Sequence, residues 1–157
     1  MPTDRGDWPA LARAAERFLA DRLSSDPRAV QASTLRAEAA QLRERAARAI
    51  VTIFTSVEQR QDIPPLDIPY HTLAADIAQA SARVSRLAQS DTDPALRAYA
   101  TSLAMIAEHC QVREGQSTPA ILLAHYFNQH HRALREEAPK AAPDLPPARP
   151  VKQPSLV

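Results

Sequence analysis

Glycine is almost missing from this 157-residue chain: only Gly6 and Gly115 occur. That excludes a Gly-rich loop able to cradle phosphates, and both glycines fall between expected helices, where a flexible residue is useful. Aromatic residues make up 4%, so the core is expected to be thin, with helices approaching closely. Cysteine occurs once, at Cys110, which rules out an intramolecular disulfide framework and fits a reducing compartment. Lysine occurs only at Lys140 and Lys152, and the net charge of +1 makes no electrostatic case for nucleic acid or an anionic membrane. No apolar run approaches the roughly 18 residues of a membrane span, and the N-terminus MPTDRGDWPAL lacks a basic-then-apolar signal region. Combined with an Ala/Arg/Pro bias typical of GC-rich bacterial genomes, this makes a bacterial cytoplasm the expected location.

What is present is a helical sequence punctuated by proline. Alanine, the strongest helix former, occurs 31 times. Asp7-Trp8-Pro9, Asp26-Pro27, Pro64-Pro65 through Pro69, Asp93-Pro94 and Thr118-Pro119 each place proline where a helix starts or ends, with Asp or Thr positioned to accept from free N–H groups. The expected helices run from about Pro9 to Leu23, Pro27 to Arg60, Pro69 to Gln89, Pro94 to Arg113 and Pro119 to Glu137. On the first, Trp8, Leu11, Ala15, Phe18, Leu19 and Leu23 share a stripe. On the second, Leu35, Ala39, Leu42, Ala46, Ala49, Ile53 and Val57 step by threes and fours with no breaker, so this helix reads as long, bent or overhanging. Ile50 to Val57 is rich in β-formers, but no second strand candidate exists to pair with it, and it reads as the most buried helical stretch. The apolar connector Asp62 to Pro69 is expected to lie against the body.

These elements predict an all-α antiparallel helical bundle of four to five helices. Residues 1–7 are expected to form a flexible N-terminus, 8–137 the bundle domain and 138–157 a disordered Pro-rich tail, too poor in large side chains to offset its ordering entropy.

Several segments carry possible chemistry. Tyr70 to Leu87 resembles the helix-turn-helix of bacterial repressors, with Leu73-Ala74, Ile77, Val84-Ser85-Arg86 and Leu87 at that family's packing positions and at the start of its reading helix. Its turn usually holds glycine and an apolar residue, where this chain has Ala78-Gln79. Leu73, Ile77, Ala80, Val84 and Leu87 step 4, 3, 4, 3, the seam of one uninterrupted helix. His71-Thr72-Leu73 resembles the phosphoacceptor stretch of histidine phosphotransfer domains, although the Lys-Gly of that family is Ala74-Ala75 here.

His125 to Arg135 gathers His125, His130, His131, Tyr126 and Phe127 on one helix. The histidine spacings of one, five and six residues are wrong for a metal site on a single helix, so a partner or nucleic-acid surface is the more economical reading. Cys110 beside His109 continues the stripe of Leu96, Tyr99, Leu103 and Ile106, which makes it a core residue. Arg5-Gly6-Asp7 matches an integrin-binding tripeptide, Pro147 to Lys152 a ligand for SH3-like grooves, and Ser155-Leu156-Val157 a PDZ-type carboxylate ligand.

The expected function is a non-enzymatic protein–protein interaction, regulatory or adaptor protein, homo-oligomeric or bound to a protein partner through its helices, without cofactor or metal. Leu35, Leu42, Arg83, Arg86, His125, Tyr126, His130 and His131 are its candidate interaction residues. The alternatives are a DNA-binding regulator acting through 70–87 and, after it, an enzyme or phosphotransfer protein using His71 or the histidines of 125–131.

Overall fold

The computed structural model describes residues 6–138, which form five helices and no strand: α1 (Trp8–Gln31), α2 (Ala37–Gln59), α3 (Tyr70–Gln89), α4 (Pro94–His109) and α5 (Ala120–Glu137). The tail motifs and most of the N-terminal segment fall outside the described residues.

The capping logic holds at two junctions. Asp7 accepts from the Ala10 N–H at 3.1 Å and Asp93 from the Ala95 N–H at 2.9 Å, each with proline in the first turn that follows. At α3 and α5 the prolines themselves, Pro69 and Pro119, are the extended residues before the first turn, with no side-chain cap.

The second junction differs. Asp26-Pro27 does not start a helix; α1 runs through Pro27 to Gln31, and the expected long helix from Pro27 to Arg60 does not exist. Pro27 has no N–H to offer the Leu23 carbonyl four residues back. The helix survives because Asp26 is buried and gripped by Arg43 of α2 at 2.7 and 2.9 Å. The actual break comes at 32–36, where the N–H groups of Thr34 and Leu35 and the Thr34 hydroxyl all turn back to the Ala29 carbonyl, with Ser33 at φ 58°. Ser and Thr side chains compete with helical hydrogen bonds in this way. Leu35 therefore lies in a turn, off the α2 stripe.

Packing of α1 on α2, α2 on α3, α3 on α4 and α4 on α1 closes a ring around the core. Ile50, Ile53 and Phe54 are fully buried, as the Ile50 to Val57 stretch requires, together with Leu11, Leu73, Ile77, Leu103 and Ile106. Ala15, Ala46 and Ala47 are also fully buried, and their small side chains let α1 and α2 approach closely. Two expected stripe residues are displaced: Leu23 and Leu87 are exposed, while their neighbours Arg22 and Ala88 are buried. The connector lies against the body through Ile63, Leu66 and Ile68. Cys110 sits in the core, where burial pushes its thiol up to about 12.

α3 is continuous through Ala78-Gln79, as its 4-3-4-3 seam requires, so the turn of the helix-turn-helix resemblance is not formed.

Candidate functional site

α5 is the element that least resembles the rest. It is tied to the C-terminus of α2, where Arg60 adopts a left-handed conformation at φ 57° and ψ 37° and turns the chain outward. Two residues one helical turn apart on α5 grip successive carbonyls there. His125 Nε2 donates to the Gln61 carbonyl at 2.5 Å, and Gln129 Nε2 donates to the Arg60 carbonyl at 2.6 Å. Because a carbonyl can only accept, the Nε2 of His125 carries a proton. Ile121 and His125 are buried on this side, and Arg132 donates to the Gln129 side-chain oxygen at 2.7 Å.

The opposite side of α5 has no covering element among the described residues. Leu123, Phe127, His130 and Leu134 step 4, 3, 4 along it, the spacing of a helix-packing seam, and Tyr126 and His131 flank them. Leu123, Tyr126, Phe127 and Leu134 are 39%, 66%, 55% and 50% exposed. Tyr126 packs edge-on to Phe127 at 5.8 Å between ring centroids and stacks with His130 at 6.4 Å. The face is apolar and aromatic, with two imidazoles along it and the carboxylate of Glu137 at its C-terminal end, seven residues beyond His130.

The histidine cluster is thus split. His125 points to the body, whereas His130 and His131 are exposed on the far side. No three His, Cys, Asp or Glu side chains among the described residues converge as metal ligands. His71 is exposed at the start of α3. Arg83 and Arg86 of α3 and Arg97 of α4 are exposed, and Arg97 donates to the Asp91 carbonyl at 3.1 Å. Leu42 packs against the chain's own core.

Two groups of residues were not singled out by the sequence. The first is a charged network inside the α1–α2–α3 contact: Arg22, 5% exposed, binds Asp76 of α3 with both terminal nitrogens at 2.6 and 3.1 Å and the Arg43 carbonyl at 2.7 Å. Its guanidinium also lies 4.2 Å over the Phe18 ring. The signal was available, since Leu11, Ala15, Phe18, Arg22 and Asp26 step 4, 3, 4, 4 along the buried face of α1. The second is a cavity of about 230 Å³ between the start of α1, the end of α2 and α5, lined by Trp8, Val57, Arg60, Ile121, His125 and Arg132 among others. It is assembled from three distant segments, so no local pattern announces it.

His109, at the end of α4, lies 5.3 Å from the Trp8 ring and 6.1 Å from Phe54 between centroids. Burial lowers its pKa below the ordinary value of 6.5, opposed in part by the neighbouring Glu108 carboxylate. No helix among the described residues is long and apolar enough to cross a membrane. No protein family, no curated protein and no solved structure matches this chain.

Proposed function

We propose that this protein is a non-enzymatic helical interaction module, a regulator or adaptor of the bacterial cytoplasm, that self-associates through α5. In this reading α1 to α4 form an antiparallel bundle, supported by their closed ring of packing partners and by the short link Ser90–Asp93. The observation that carries the functional reading is the two-sided character of α5, one side hydrogen-bonded to the α2 terminus and the other an uncovered apolar stripe. Contiguous exposed apolar patches mark interaction sites.

The occupant is a second copy of the chain. A two-fold interface requires a patch complementary to itself under reversal. The α5 stripe meets that condition about the midpoint of Asn128 and Gln129. Antiparallel pairing sets Leu123 against Leu134, Phe127 against His130 and Tyr126 against His131, each apolar or ring against its like. An 18-residue helix is about 27 Å long. A single helix pair covers less than the ~800 Å² per partner of a standard stable interface, so a dissociation constant in the micromolar range is expected.

Light scattering across a concentration series to about 200 µM tests this. The wild type is expected to approach twice the 17.2 kDa chain mass, and Phe127→Asp to remain monomeric with unchanged helicity. A wild type that stays monomeric throughout, or a Phe127→Asp variant of the same mass as wild type, eliminates the proposal.

A further inference from the structure

We propose that the cavity between α1, α2 and α5 is a binding site for a small carboxylate with an apolar body, of the size of an aryl carboxylate. It goes beyond the self-association reading, because the cavity faces the opposite side of α5 from the apolar stripe.

The cavity's lining is divided evenly between apolar wall and polar groups, a composition suited to a ligand with one apolar and one charged end. Trp8 and Ile121 supply apolar wall, Arg60 and Arg132 two guanidinium groups, and His125 and Asn128 further hydrogen-bonding capacity. Its volume of about 230 Å³ suits a single ring or a short branched chain and is too small for a nucleotide.

Charge selects the class. Glu58 is the cavity's one carboxylate against two arginines, and neither arginine has a carboxylate within 4.0 Å among the described residues. Elsewhere in the protein the buried Arg22 is paired with Asp76 and the half-buried Arg43 with Asp26, whereas here Arg132 is half-buried and Arg60 exposed. A ligand carboxylate would supply the equivalent partner here, and the planar guanidinium is the side chain best matched to it.

The Arg132 side chain and the backbone of Arg60 are also held in place. Arg132 is fixed through the Gln129 side-chain oxygen at 2.7 Å, and Gln129 in turn binds the Arg60 carbonyl at 2.6 Å, which anchors the left-handed turn carrying the second guanidinium. With Nε2 of His125 committed to the Gln61 carbonyl, Nδ1 is the ring nitrogen left for other contacts. Such fixing lowers the ordering cost of binding.

Trp8 is the only tryptophan in the chain and lines this cavity, so intrinsic fluorescence reports on the site directly. Full-length protein is titrated with benzoate, with its neutral isostere benzamide and with inorganic phosphate, using free N-acetyltryptophanamide to correct for collisional quenching. Benzoate is expected to give a saturable Trp8 change, benzamide to bind at least about 10-fold more weakly, and phosphate more weakly than benzoate. Arg132→Gln should weaken benzoate by about 10-fold with unchanged helicity and melting temperature, and Arg132→Lys should restore part of the loss. Arg60→Gln serves as the independent variant should Arg132→Gln disturb α5. No saturable response up to about 10 mM benzoate, or equal binding of benzamide, overturns the site. Phosphate binding as tight as benzoate overturns the assignment to a ligand with an apolar body.

Discussion

Asp76→Ala removes one partner of the most buried ion pair while leaving the other in place. Arg22 is 5% exposed and Asp76 14%, and two short hydrogen bonds join them. Without Asp76 the Arg22 guanidinium keeps the Arg43 carbonyl and the face of Phe18 but no counter-charge, since Asp26 is already engaged by Arg43. Breaking a buried pair on one side costs roughly 3–5 kcal/mol, against a total stability of about 5–15 kcal/mol for a domain. At about 2–4 °C per kcal/mol for a chain of this size, the melting temperature should fall by roughly 6–20 °C. The double replacement Arg22→Met with Asp76→Leu removes both charges and refills the space, and should be less destabilised than Asp76→Ala alone. Urea unfolding followed by circular dichroism measures all three proteins. The reasoning fails if Asp76→Ala loses less than about 1 kcal/mol, or if the double variant is the least stable of the set.

Pro27→Ala restores an N–H to a position inside α1 and should raise stability by about 1–3 kcal/mol. Thermal unfolding checks it, and a loss of stability would mean that the proline ring packs in a way its exposure does not suggest. His109 predicts an acid-side loss. Burial lowers its folded-state pKa below 6.5, so between the two values the unfolded chain binds more protons, and stability falls as pH drops below about 6.5 toward the folded value. Unfolding curves from pH 8 to 5 should show this slope, and His109→Gln should flatten it. A wild-type slope that the substitution leaves unchanged would assign the effect to other groups.

Much of the helical plan was legible because it is local. Asp7 and Asp93 cap α1 and α4 with proline in the first turn that follows, and Ile50 to Val57 is core because its spacing and bulk leave no other place for it. The Asp26-Pro27 junction misled because its local signal is the same as at Asp93-Pro94. What separates the two is Arg43, seventeen residues away, which holds Asp26 inside a helix that proline would otherwise end. On α5 the sequence brought Tyr126, His130 and His131 to notice as a cluster with His125. The structure divides that cluster by face, and the Gln61 carbonyl is what draws His125 inward.

The sequence by itself determined that the chain is helical, where most helices begin, and that α3 is one helix, since alanine content, 4-3 spacing and caps act within a few residues of one another. Tertiary structure alone decided that α1 passes through Pro27, that Arg22 replaces Leu23 at the α1–α2–α3 contact, and that Trp8, Arg60 and Arg132 surround one cavity. These outcomes depend on charges and apolar surface meeting across long sequence separations, where the free energy of burial and ion pairing overrides local backbone preference.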